Sequence, residues 1–143
     1  MSTASTEIIA RAVIRRDDQL LVARQRNKAW SFLPGGHVDP GERVEAALVR
    51  ELEEELGTGA KITGFLGAVE HGYVEDDTPH HEINLVFDVA VTGTEPASRE
   101  EHLEFHWLPL DRLAETDVRP DALKSALVSA GDGRTPFWRG WNG

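Results

Sequence analysis

A single amphipathic segment constrains this chain more than any other part of it. From Gly41 to Leu56, the residues Val44, Leu48, Leu52 and Leu56 recur every four positions, with Val49 alongside, which is the spacing of one apolar helix face. Asp39, followed three residues later by Glu42, resembles a capping box, and Gly57 stands where a helix stops. The same segment is rich in acid. Residues 39–55 hold seven carboxylates and two arginines, a net of −5, half of the −10 carried by the whole chain. At about 100° per residue, Glu51, Glu54 and Glu55 project within an arc of roughly 100°. The apolar stripe must face a core, so the three carboxylates flank it at the core's edge.

Like charges placed in this way repel, by about a few tenths of a kcal/mol per exposed i,i+4 pair and by more when half-buried. On this reading Arg50 pairs with only one of the three, so further positive charge is expected. A hard divalent cation supplies it: Mg²⁺ takes a few carboxylates, keeps several waters and also binds substrate phosphates. Just upstream, Pro34-Gly35-Gly36 permits unusual backbone angles and the close approach of a ligand, and offers backbone carbonyls. The plainer alternative is a solvated acidic helix face, or an acidic helix in a protein-interaction domain. It leaves unexplained why repelling carboxylates adjoin the core beside a Gly-Gly turn.

Around this helix the chain alternates short strands and turns. Ile8 to Ile14 and Gln19 to Arg24 read as strands joined in a hairpin by Arg16-Asp17-Asp18. Trp30 to Leu33 reads as a third short strand, stopped by Pro34. Ile62 to Val74 follows the helix, with Gly64, Gly67 and Gly72 marking bulges or close approaches. After the polar loop Glu75 to Pro79, strict alternation of Ile83, Leu85, Phe87, Val89 and Val91 marks the clearest strand. A loop over Thr92 to Arg99, a strand over Leu103 to Leu108, a helical turn over Leu110 to Ala114 and a helix over Asp121 to Ala130, introduced by Pro120, complete the order. The tail from Thr135 to Gly143 carries Phe137, Trp138 and Trp141; packing on the sheet is the default, with substrate or a homodimer partner as other roles. The pattern β-β-β-α-β-β-β-α predicts a mixed α/β sheet covered by helices, and 143 residues suit one domain.

Several function classes are excluded. The chain has no cysteine, so disulfides, thiolate metal sites and cysteine nucleophiles are absent. No apolar run approaches the roughly 20 residues that span a bilayer, and Met1 to Glu7 lacks a signal peptide's basic and apolar regions. A cytoplasmic protein with no membrane partner is expected. The acidic balance argues against gripping a nucleic-acid polymer, which needs a basic surface.

Gly36, Glu42, Arg50, Glu51, Leu52, Glu54, Glu55 and Gly57 fit, position by position, the Nudix box Gly-x5-Glu-x7-Arg-Glu-U-x-Glu-Glu-x-Gly-U, where U is aliphatic. The single departure is Thr58, at the final U position. The chain therefore resembles the MutT-like branch of the Nudix hydrolases; the strands before the box and the later Glu104 and Trp107 to Leu110 segment are also typical. The resemblance implies a Nudix fold, a mixed β-sheet sandwiched between helices (α/β/α), as a single domain over residues 1–143 with the box at 36–58. It further implies hydrolysis of a nucleoside diphosphate linked to X, with Mg²⁺, or Mn²⁺ in its place, as cofactor. A nucleoside triphosphate, oxidised or not, fits the small size best. The alternatives are an ADP-ribose or other nucleotide-sugar pyrophosphatase and a non-catalytic nucleotide-sensing module. Tyr73 stands fifteen residues after Thr58, where neither of two subfamily markers (Pro at fifteen, Tyr at sixteen) is matched.

By the same resemblance, Glu51 and Glu55 bind metal, Glu54 is a ligand or acts through water, and the Gly35 carbonyl ligates metal. Arg50 orients a catalytic carboxylate by a charge-assisted hydrogen bond, and Glu42 is structural. The general base is a box glutamate such as Glu54, or an acid from a distal loop. Of the distal acids Glu101 is the choice for an extra ligand or base. Glu82, opposite Ile83 and Leu85, is a second candidate. Tyr73, His81 and Glu82 are the candidates for substrate binding.

Overall fold

The computed structural model describes residues 5–93, 97–129 and 135–141. The strands are β1 (Thr6–Val13), β2 (Arg15–Arg16), β3 (Gln19–Gln25), β4 (Gly35–His37), β5 (Ala60–Glu75), β6 (Thr78–Val91), β7 (Leu103–Pro109) and β8 (Phe137–Arg139). Helix α1 spans Val44–Leu56, α2 spans Asp121–Ser129, and a short 3-10 helix runs over Leu110–Glu115. Five strands form a sheet in the order β4-β1-β6-β5-β8, and three form a second in the order β2-β3-β7. The larger sheet is mixed: β1 runs parallel to β6 and β5 parallel to β8, while β1/β4 and β5/β6 are antiparallel.

Strand alternation divides the core into two layers. Ala10 and Ala12 of β1 and Ile14 just after it, with Phe87 and Val89 of β6, pack against Leu48, Leu52 and Leu56 of α1. Val13, Val69 and Val86 point to the other side, against Leu123 and Ala126 of α2. The sheet thus lies between the two helices, the α/β/α sandwich implied by the resemblance. Among the described residues no helix is long and apolar enough to cross a membrane. Leu52 is fully buried, so Leu52→Ala is expected to cost about 2–5 kcal/mol, to be read from the urea midpoint at constant slope.

Local reading and structure differ at four places. The first two strands do not form one hairpin. β1 stays in the larger sheet, the chain turns at Ile14, and only Arg15–Arg16 pairs with Gln19–Leu20 in the smaller one. The third strand is Gly35–His37, not Trp30 to Leu33. Of that run, Phe32 makes an isolated bridge to Ala23 of β3 and Ser31 one to Val118. α1 begins at Val44 with Arg43 as its cap and no side-chain capping bond. Glu42 instead accepts from the Asp39 N–H (3.1 Å) and closes the turn before the helix. The polar loop at 75–79 contracts to a two-residue turn, Asp76-Asp77, both in the left-handed region. The expected bulges are present, as register shifts at Ile62/Gly64 and Phe65/Gly67. Parts of the 92–99 loop and of the tail, and Ala130 at the end of the second helix, lie outside the described residues. The rest of the tail adds β8 to the edge of β5.

Thr58, the one departure from the box, is buried, and its hydroxyl accepts from the Gly93 N–H at 3.0 Å. A polar side chain at an aliphatic position is thereby satisfied.

Candidate active site

The site forms where β4 passes the acidic face of α1. The bonds from β4 to β1 run through Pro34 and Val38, with the Ala12 N–H donating to the Pro34 carbonyl and the Val38 N–H to that of Ile8. Antiparallel alternation therefore turns the backbone groups of Gly35 and His37 away from β1. They meet the helix: the Gly35 N–H bonds the Glu55 carboxylate, and the His37 carbonyl accepts from Arg50 at 3.3 Å. Glu51 lies directly over Gly36, whose missing side chain makes the room.

The three box carboxylates differ in burial. Glu55 is 4% exposed, Glu51 is partly buried, and Glu54 is open to solvent. Burial pushes the Glu55 carboxyl up to about 8, with repulsion from Glu51 adding to it and the nearby Arg11 opposing it. Burial also raises Glu51, against the pull of Arg50. Glu55 Oε2 is buried with no hydrogen-bond partner among the described residues.

Arg50 does more than pair with one acid. Its Nε and Nη2 hold Glu42 at 2.8 and 3.0 Å, and its Nη1 reaches Glu51 at 3.1 Å and Glu54 at 3.4 Å. A guanidinium has five N–H donors in a fixed fork, which is why one arginine serves three carboxylates. Arg50 thereby ties the 37–42 loop to the helix and sets the position of Glu51 and Glu54. Its own pKa is raised by these acids.

Among the described residues, no three acidic or imidazole groups converge closely enough to hold an ion as they stand. The chemistry of the group nevertheless fits a hard cation. It offers only oxygen donors, one of them buried and unpartnered, and burial holds the Glu55 carboxyl well above the usual carboxylate range.

The remaining sequence candidates lie at different distances from this centre. Cross-strand register puts Tyr73 and Glu82 on the sheet face that also carries Arg11, His71, His80 and Asn84. There the rings of His71, Tyr73 and His80 form a stacked column, with centroid spacings of 5.2 and 4.7 Å. His81 is on the opposite face, bonded to Glu70 at 2.7 Å and to the Thr6 hydroxyl at 3.2 Å, and it lies against Trp141. Glu101 is exposed, and its backbone carbonyl accepts from Arg26. Its neighbour Glu100 is the acid of that segment whose charge reaches Glu55, and the segment is docked on the helix end by the Arg99 N–H on the Glu55 carbonyl, at 2.8 Å.

Sequence reasoning did not single out Arg11 or Asn84, which stand among these candidates, and of the distal acids it preferred Glu101 to Glu100. The partly buried Arg11 donates to the Asn84 side chain at 3.3 Å and to the Leu33 carbonyl at 3.0 Å, and it interacts with Glu82, Glu55 and Glu51. A lone arginine at an inward position of an apolar strand was the available signal.

The NUDIX domain model matches residues 6–126. An ADP-ribose pyrophosphatase of Methanocaldococcus jannaschii is 34% identical over 104 residues, covering 71% of this chain and 60% of that protein. The nucleoside triphosphatase NudI of Escherichia fergusonii is 39% identical over 118 residues, covering 74% and 84%. The chain spans less than two thirds of the length of several of the curated relatives it matches. Among solved structures, a MutT NUDIX hydrolase from Burkholderia pseudomallei superposes with a TM-score of 0.66 at 30% identity, over 75% of this chain and 85% of that one.

Proposed function

Because this chain belongs to the Nudix family, we propose that it is a Mg²⁺-dependent pyrophosphohydrolase acting on a nucleoside triphosphate, oxidised or not, by attack of water on phosphorus. The observation that carries this reading is Glu55: a buried carboxylate with an unpartnered oxygen, beside Glu51 and the Gly35 backbone. A fold gains nothing from such a group unless a cation completes it.

Glu51, Glu55 and the Gly35 carbonyl would hold the ion, with Glu54 or Glu100 completing the set. Bound there, the ion would offset the negative charge of the diphosphate oxygens and make phosphorus open to attack. The chain's own residues supply the rest. Glu54, exposed and oriented by Arg50, accepts the proton of the attacking water as general base. The water oxygen bonds to phosphorus, and the bridging P–O bond breaks, its electrons leaving with the departing phosphate group. Arg11 adds positive charge between the acids and the face that carries Tyr73 and Glu82. Of the distal acids, Glu100 takes the role expected of Glu101, on the strength of its reach to Glu55. The nucleoside triphosphatase relative, with most of its length matched, supports the triphosphate over ADP-ribose.

The test is to incubate the purified chain with nucleoside triphosphates, 8-oxo-dGTP and ADP-ribose in Mg²⁺, Mn²⁺ or EDTA, and to identify the products by chromatography. Nucleoside monophosphate and pyrophosphate, formed with metal and not with EDTA, are expected. Turnover confined to ADP-ribose would replace the triphosphate reading, and binding without turnover of any compound would favour a sensing module.

A further inference from the structure

We propose that Glu82 reads the Watson–Crick edge of a guanine base, so that the substrate is a guanine nucleotide. The inference rests on the pyrophosphohydrolase reading above and names the base that reading leaves open. Glu82 is 7% exposed and stands beside Asn84, which is fully buried, on the face carrying the His71, Tyr73 and His80 column. His71 lies directly across the strand pair from Glu82, and His80 precedes it by two residues on β6.

A carboxylate in such a place is usually held by an arginine. Here Arg11, whose charge interacts with Glu82, spends its Nε on Asn84 and its Nη1 on the Leu33 carbonyl. The side-chain bond to Glu82 comes from the neutral Asn84 amide, at 3.3 Å. A carboxylate has about four acceptor positions and no donor, so Glu82 is poised to take two adjacent N–H donors at once. Among the common bases, guanine alone presents two adjacent donors on its pairing edge, N1–H and the N2 amino group. Adenine and cytosine set a donor beside an acceptor, and uracil sets one N–H between two carbonyls. The aromatic column at the same place offers ring faces for stacking, which every base accepts equally. Selectivity therefore falls to Glu82. Arg11 interacts with Glu82 and with Glu51 and Glu55, so the base and the diphosphate would sit on either side of one guanidinium. An 8-oxoguanine base keeps the same two donors and is read in the same way.

The experiment compares kcat/KM for GTP, 8-oxo-GTP, ITP, N1-methyl-GTP, ATP and CTP, in the wild-type chain and in Glu82→Gln. In the wild type, N1-methyl-GTP and ATP are expected to fall below GTP by about 10–100-fold, with ITP between them, because a site built for donors is left unpaired. Glu82→Gln should lower kcat/KM for GTP by a similar factor, mainly through KM, and so narrow the ratio of GTP to ATP. The ratio of 8-oxo-GTP to GTP separates an oxidised from an ordinary substrate. Equal kcat/KM for GTP, N1-methyl-GTP and ATP in the wild type would overturn the inference whether or not the variant folds. So would a variant that loses all nucleotides alike. If no nucleotide is hydrolysed, the pyrophosphohydrolase reading fails separately. Calorimetric binding of GTP against N1-methyl-GTP then decides the role of Glu82 on its own, and equal affinities would end it.

Discussion

Glu55→Gln is expected to lower kcat by about 10²–10³-fold while making the metal-free protein more stable at alkaline pH. The two effects have one cause. Glu55 sits with its carboxyl buried against Glu51, and its pKa is pushed up to about 8 from an ordinary 4.5. In the folded chain the charged form is therefore the disfavoured one. Stability from this group is fully present below pH 4.5, and it is lost as pH rises through about 8. By linkage the loss is at most about 5 kcal/mol, and less if water reaches the site on ionisation. Thermal unfolding in EDTA should thus show the melting temperature falling between about pH 5 and pH 9, a slope that Glu55→Gln flattens. Glu42, Glu70 and Glu104 are held below the usual carboxylate range by Arg50, by the Trp141 N–H with His81, and by Arg24. They act with the opposite sign, losing stability as pH falls below 4.5, and so do not obscure this window. Adding Mg²⁺ should restore wild-type stability at pH 8 by about 3 kcal/mol at a hundred times its Kd, and should do little for the variant. A variant with wild-type kcat, or the same pH slope in both proteins, would remove Glu55 from the centre of the site.

Two neighbouring glycines should respond in opposite ways to the same added methyl group. At Gly35 the backbone has φ +140°, and a Cβ would stand 2.0 Å from the Ala10 carbonyl oxygen. β1 cannot retreat, because it is paired with β6 on its other side. Gly35→Ala is expected to cost more than about 3 kcal/mol and to leave little folded protein. At Gly36 a Cβ would meet the Glu51 carboxyl carbon at 2.5 Å. That neighbour is the end of a flexible side chain, so it moves and the fold survives. Gly36→Ala should then unfold within about 1 kcal/mol of wild type and lose roughly 100-fold in kcat/KM, since Glu51 is driven from its place beside Glu55. Denaturant unfolding and steady-state kinetics on the two variants check this together. An active Gly36→Ala enzyme would show that Glu51 is not held where it is needed.

Much of this was legible because it is local. The apolar spacing of Val44, Leu48, Leu52 and Leu56 and the acids between them lie on one helix, whose period turns sequence distance into angle. The strict alternation from Ile83 to Val91 did the same for a strand. What stayed hidden depends on residues distant in the chain. Nothing near Arg11 in sequence indicates that it will stand among Glu82, Glu55 and Glu51, because three separate elements bring it there. His81 and Glu82 looked alike as neighbours on one strand, yet a strand sends consecutive side chains to opposite faces. Only the pairing with β1 and β5 decides which of them shares a face with Arg11 and the aromatic column.

By itself, then, the sequence determined the helix, its carboxylates and the Pro34-Gly35-Gly36 turn, and with them the family and the oxygen chemistry of the site. Periodicity, charge and backbone freedom are properties of short stretches. The tertiary structure alone decided that Glu55 is the buried acid of the helix, that Arg50 serves three carboxylates, that the charge of Glu100 is felt at Glu55, and that Glu82 shares a face with the aromatic column. Burial and electrostatic reach are set by what packs across from a residue, and that follows from strand order and register, which no local pattern encodes.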